Sequence, residues 1–90
     1  MKVRVAIWIY GMVQGVFFRH SAKRTAEELG LAGFVRNEPD GSVYIEAEGE
    51  REVLDKFLDW CRKGPAYAKV ERVDFEFSDD LRGFSEFKLQ

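Results

Sequence analysis

The fold is decided early in the chain, by VRVAIWIY at residues 3–10 and GMVQGVFF at residues 11–18. Residues 3–10 alternate, with Val3, Val5, Ile7 and Ile9 on one face, and this period of two predicts a β-strand. Residues 11–18 contain two glycines and no helical period, which predicts a loop. From about His20 to Leu29 the apolar period becomes helical, and Gly30 is suited to end that helix. The chain therefore opens as strand, loop and helix.

The remaining elements follow from the same two periods and from turn residues. Glu38-Pro39-Asp40-Gly41 is a turn, because proline presets φ and Asp40 can bond its own backbone. In chain order we predict strands at 32–37 and 42–48, a helix over Glu50–Arg62, a strand at 69–77, a loop at 79–83 and a last strand at 84–89. In the strand at 69–77 the pattern places Val73, Phe75 and Phe77 inward.

This order predicts an α+β fold of the ferredoxin-like, split β-α-β type, formed by one domain over residues 1–90. Two helices cover one face of a mixed, mostly antiparallel sheet. Right-handed crossovers make the strands at 3–10 and 32–37 parallel, with the strand at 42–48 between them. The loop at 11–19 and Asn37 are then expected to meet at one sheet edge.

Composition excludes several classes of function. Fourteen basic and sixteen acidic residues give a net charge of −2, without the basic excess of a nucleic-acid-binding domain. No apolar run approaches the roughly 20 residues of a membrane span, and the start lacks the pattern of a signal peptide, so we expect a cytoplasmic protein. One cysteine and one histidine allow neither an internal disulfide nor a His/Cys zinc site. Cys61 is predicted to be a core residue.

The loop before the first helix suits an anion. Glycines let successive N–H groups converge, the helix start near His20 adds its positive dipole end, and Arg19 supplies a planar fork for phosphate oxygens. The alternative is a tight connection with no ligand. Asn37 is open to two interpretations, as a strand-end cap of the hairpin or as a holder of a water molecule.

Two stretches resemble the signatures of the acylphosphatase family. Residues 9–19, IYGMVQGVFFR, are similar to the first signature, and GFVRN at 33–37, with Gly41-Ser42-Val43 and Gly49, to the second. The resemblance implies hydrolysis of acyl phosphates to a carboxylate and orthophosphate, with no cofactor and no metal. Met12, often basic in the family, and Phe17, often small, are departures that leave each expected catalytic group in place.

The resemblance also implies roles for particular residues. Arg19 corresponds to the phosphate-binding arginine and Asn37 to the asparagine that positions water. Gly11 shapes the loop, whose amides form the phosphate-binding segment Gln14, Gly15, Val16, Phe17, Phe18 and Arg19. The expected ligands are a small acyl phosphate and inorganic anions such as phosphate or sulfate. We expect a monomer, with neither nucleic acid nor membrane as partner.

Other functions remain open on the same scaffold, because a fold alone does not decide function. One is a ligand-binding or RNA-binding module, which for RNA needs strand aromatics and a basic face. A variant of the enzyme hypothesis is the acylphosphatase-like domain of larger carbamoyl-transfer maturation proteins. Trp8 and Tyr10, on the face away from the helices, are either an exposed patch or a partner contact.

Overall fold

The computed structural model describes residues 1–90 and contains five strands and two helices. In chain order the elements are β1 (Lys2–Met12), α1 (Phe18–Glu28), β2 (Ala32–Asn37), β3 (Val43–Glu50), α2 (Arg51–Lys63), β4 (Lys69–Ser78) and β5 (Phe87–Leu89). This order confirms the predicted ferredoxin-like arrangement with an additional short strand.

The strands form one mixed sheet in the order β4-β1-β3-β2-β5. Strand β3 pairs antiparallel with both β1 and β2, while β5 pairs parallel with β2. Strands β1 and β2 therefore run in the same direction on either side of β3, as predicted. Val43 of β3 lies opposite Ile9 of β1 and opposite Asn37 of β2, so the carboxyl ends of β1 and β2 share one edge of the sheet.

Both helices pack on one face of the sheet. Ala22 and Ala26 of α1 are fully buried, and their small side chains let the helix approach the strands closely. The apolar stripe of α2 is buried as predicted and includes Cys61, whose thiol pKa is raised by burial. Neither helix has the length and apolar character that a membrane crossing requires.

The first strand and the first helix extend further than predicted. Strand β1 continues to Met12, because its pairing with β4 resumes after an irregularity at Tyr10 and Gly11. The prediction that the loop begins at Gly11 is therefore wrong. Helix α1 begins at Phe18, two residues before the predicted start, and Phe17 is its N-cap. The connecting loop is consequently only residues 13–17.

The end of the chain also differs from the prediction. The last strand covers Phe87–Leu89 and not 84–89, because the N–H of Phe84 donates to the Glu48 carboxylate at 3.2 Å instead of pairing in a sheet. Phe75 is 44% exposed. It lies opposite Ile7 on the helix side, but β4 is an edge strand and the helices leave its ring partly uncovered.

The face without helices carries aromatic side chains. Trp8 packs against Tyr44 with ring centroids 5.3 Å apart, and the guanidinium of Arg36 lies 5.0 Å from the Tyr44 ring. Desolvation, with help from its hydrogen bond to Glu46, raises the pKa of Tyr44 to about 12. Trp8 and Tyr10 are half-buried in this layer.

Candidate functional site

The loop between β1 and α1 is anchored at its start and twisted at its end. Val13 is 1% exposed, and its N–H donates back to Gly11 O at 3.0 Å. Gly15 and Phe17 have positive φ angles of 74° and 64°. Left-handed residues next to ordinary ones turn successive N–H groups toward one side of the backbone. For Phe17 this conformation is unusual and matches the strain found at functional sites.

The N–H groups from Gln14 to His20 are free for a ligand. After the bond from Val13, the next backbone donor in the chain with a main-chain partner is Ser21, whose N–H donates to Phe17 O at 3.1 Å. No side chain caps the start of α1, and its first turn contains no acidic residue. The positive end of the helix dipole is therefore neither capped nor neutralised by the protein, which favours an anion.

Arg19 lies in the first turn of α1, beside these N–H groups. Its Nη1 donates to the main-chain oxygen of Gln90 at 2.7 Å, immediately after β5. A guanidinium has five N–H donors in one plane, so this bond orients the group and leaves the other donors available. The Arg19 side chain is half-buried and faces the loop cavity.

Asn37 ends β2, and the turn that follows it is firmly held. Gly41 N–H donates to Glu38 O at 3.1 Å, and both the N–H and the hydroxyl of Ser42 donate to Asp40 Oδ1, at 2.9 and 2.6 Å. The bond from the Ser42 hydroxyl is the main reason that the pKa of Asp40 is lowered. The Asn37 side chain is exposed and has no hydrogen-bond partner in the protein.

A cavity of about 230 Å³ brings the predicted residues together. Its lining includes Val13, Gly15, Phe17, Phe18, Arg19, His20 and Asn37. Gln14 and Val16 belong to the loop but do not line the cavity, and Gly11 lies in β1. Sequence reasoning did not place Val13 there, and it treated His20 as a surface residue.

Two loop side chains have contacts that the sequence did not indicate. The ring of Phe18 is 1% exposed and packs against Trp60 with centroids 5.2 Å apart, so only its backbone is available to a ligand. The Gln14 side chain donates from Nε2 to Glu38 O and Ser42 O, at 2.8 and 2.9 Å. The one signal in the sequence was that Gln14 is the single polar side chain between Gly11 and Phe18.

Comparison with known proteins agrees with this geometry. The family model named Acylphosphatase matches residues 5–89. The chain belongs to the acylphosphatase family. An acylphosphatase of Methylococcus capsulatus is 49% identical over 86 residues, which cover 96% of this chain and 94% of that protein. The predicted family and the prediction of an enzyme are confirmed.

Solved structures of acylphosphatases and related proteins share the fold. The crystal structure of the acylphosphatase from Bacillus subtilis superposes with a TM-score of 0.96 at 34% identity, covering 98% of both chains. The phosphate- and nucleotide-bound structure of full-length HypF contains a similar segment, with a TM-score of 0.92 and 26% identity. That match covers all of this chain and 12% of HypF, so the fold also occurs within a much longer protein.

Proposed function

We propose that this chain hydrolyses the carboxyl–phosphate bond of small acyl phosphates, with the phosphoryl group in the cavity between the 13–17 loop and Asn37. The observation that carries the proposal is that one cavity is lined by Arg19, by the loop with its free N–H groups and by Asn37. Family membership favours this enzyme over a non-catalytic ligand-binding or RNA-binding module. A volume of about 230 Å³ lies below the roughly 300–1,000 Å³ of pockets for drug-sized ligands, which suits a small substrate.

Phosphate binding falls to the loop and to Arg19. The N–H groups from Gln14 to Arg19 and the helix dipole stabilise the negative oxygens, while the guanidinium bonds two of them in its plane. Inorganic phosphate and sulfate present the same oxygens and are expected to bind at the same place. Each donor that strengthens its bond as charge develops contributes about 3 kcal/mol to lowering the barrier.

The chemical step needs little proton transfer from the protein. Water attacks phosphorus while the P–O bond to the acyl group breaks, and the electron pair leaves on the carboxylate, which needs no proton. The loose transition state of phosphoryl transfer makes small demands on a general base, so the water's proton passes to phosphate or solvent. Asn37 accepts a hydrogen bond from that water through its amide oxygen and aims it in line with the leaving group.

Substitution of Asn37 tests these separate roles. Asn37→Ala removes the water's acceptor and no phosphate contact, so we expect kcat to fall about 100-fold while inhibition by inorganic phosphate changes less than about 3-fold. Asn37→Asp keeps the size but adds a negative charge, so phosphate inhibition should weaken as well. Both quantities come from steady-state hydrolysis of benzoyl phosphate.

The opposite separation would contradict the assignment. If Asn37→Ala abolishes inhibition by phosphate while saturating substrate turns over at the normal rate, Asn37 binds phosphate and another group positions the water. Because Asn37 is exposed at a strand end, neither variant should disturb the core. The monomeric state and the cytoplasmic location stay predictions.

A further inference from the structure

The Gln14 side chain joins two segments that are distant in sequence. It projects from the loop between β1 and α1, is half-buried, and donates both amide protons to the turn between β2 and β3. The acceptors are Glu38 O and Ser42 O, 24 and 28 residues further along the chain. Glu38 follows Asn37 directly. A single side-chain nitrogen therefore connects the phosphate loop with the residue pair that contains Asn37.

The turn does not need Gln14 to form. Glu38 O also accepts from Gly41 N–H at 3.1 Å, and Ser42 O also accepts from Glu38 N–H at 2.8 Å. Carbonyl oxygens have two lone pairs, so both retain a partner when Gln14 is removed. The two bonds from Gln14 thus contribute mainly to the position of the turn relative to the loop.

We propose that Gln14 is a positioning residue, whose side chain sets the place of Asn37 relative to the phosphoryl group held by the loop. The inference rests on the proposed function, in which the loop holds phosphate and Asn37 aims the water. It adds a role for a side chain that does not itself line the cavity. In-line attack is sensitive to such placement, since a shift of about 1 Å can reduce a rate about 100-fold.

Only a side chain with two donors at this reach satisfies the geometry. Gln14→Glu keeps the length but turns a carboxylate toward two carbonyl oxygens, to which it cannot donate. Gln14→Ala removes both bonds without adding a charge. The two variants should therefore lower kcat together, with the larger loss for Gln14→Glu.

A double-mutant cycle with Asn37 is the test. Kinetics of benzoyl phosphate hydrolysis are measured for the wild type, Gln14→Ala, Asn37→Ala and the double variant, with inorganic phosphate as inhibitor. In the wild-type background we expect Gln14→Ala to lower kcat about 30-fold and to change phosphate inhibition less than about 3-fold. In the Asn37→Ala background the same change should lower kcat less than about 3-fold, because the two residues act through one water.

Three results would overturn the proposal. One is an equal loss of kcat in both backgrounds, which makes Gln14 independent of Asn37. Another is a loss of phosphate inhibition as large as the loss of kcat, which makes Gln14 a residue that shapes the phosphate loop. The third is full kcat for Asn37→Ala alone, which refutes the water-positioning role in the proposed function and the inference with it. The first two are seen while the Asn37 single variant still behaves as proposed.

Ser42→Ala is the matched control for a loosened turn. It removes the hydroxyl bond to Asp40 within the same turn and keeps both carbonyls that Gln14 uses. We expect its kcat to stay within about 3-fold of the wild type. An equal kcat loss in Ser42→Ala and Gln14→Ala would contradict the proposal. If Gln14→Ala fails to fold, Gln14→Glu takes its place in the cycle.

Discussion

At the scale of single residues, Arg19 combines two geometric demands. One guanidinium nitrogen donates to Gln90 O at 2.7 Å, while the side chain faces the cavity beside the free N–H groups. A planar fork meets both demands, because its donors point in fixed and different directions. The ammonium of a lysine has all its donors on one atom and cannot hold Gln90 O and two phosphate oxygens in one plane.

Substitution of Arg19 should show this requirement for shape. Arg19→Ala is expected to raise KM steeply and to lower kcat about 100-fold or more, and Arg19→Lys should also fail. The measurement is kcat/KM for benzoyl phosphate. Arg51→Lys is the control, because Arg51 begins α2 after the far end of β3, at the opposite edge of the sheet, and should be neutral. A kcat/KM near that of the wild type in Arg19→Lys would refute the role.

Much of the site was predictable at this scale, and what was missed consists of contacts to main-chain oxygens. The resemblance indicated Arg19 and Asn37, and topology brought them to one cavity. The bonds of Arg19 to Gln90 O and of Gln14 to Glu38 O and Ser42 O leave no such pattern. Their acceptors are backbone groups that every residue has, so only the folded geometry selects them.

At the scale of elements, Gly11 shapes the site from within β1 and not from the loop. It follows Tyr10 at the irregularity in pairing with β4 and has φ of 128°. A Cβ at this position would collide with Lys69 O and lie 2.9 Å from Glu71 N. Both neighbours are backbone atoms of β4, so they cannot yield without shifting the strand that orients the loop.

Gly11→Ala should therefore be strongly destabilising. Positive φ costs about 1–2 kcal/mol and overpacking about 1–3 kcal/mol, so we expect a loss of more than about 3 kcal/mol in the free energy of unfolding. Gly83→Ala is the control, because Gly83 has φ of 77° but open space around a Cβ, and about 1 kcal/mol is expected there. Urea unfolding measures both. Equal losses would show that the close contact is unimportant.

The boundaries of elements were less predictable than their order. Helix α1 begins at Phe18 because Phe17 adopts a left-handed conformation, which nothing in its residue type favours. The last strand is short because the Glu48 carboxylate accepts from the N–H groups of Arg82, Gly83 and Phe84. In both cases a tertiary constraint overrides the local pattern from which strands and helices are predicted.

At the scale of the whole molecule, charge and composition point to heat tolerance. One third of the residues are charged, whereas asparagine and glutamine together number three. Glu46 is 11% exposed and interacts with Arg4 at 3.3 Å and with Arg82 at 3.7 Å, forming a network. Ion-pair networks retain more of their contribution at high temperature than isolated surface pairs do.

We therefore expect a melting temperature above the mesophilic range of about 45–65 °C. Differential scanning calorimetry of the wild type at neutral pH is the measurement, and Glu46→Gln should lower the value, because it discharges the centre of the network. A wild-type midpoint within the mesophilic range would contradict the expectation.

The central claim is that water attacks the phosphorus of a small acyl phosphate in the cavity of Arg19 and Asn37. The most direct test is hydrolysis of benzoyl phosphate by the chelator-treated protein in water enriched in oxygen-18, with mass spectrometry of both products. We predict turnover well above the rate without protein and one oxygen-18 atom in orthophosphate, with none in benzoate. Label in benzoate, or a rate no higher than without protein, would contradict the account.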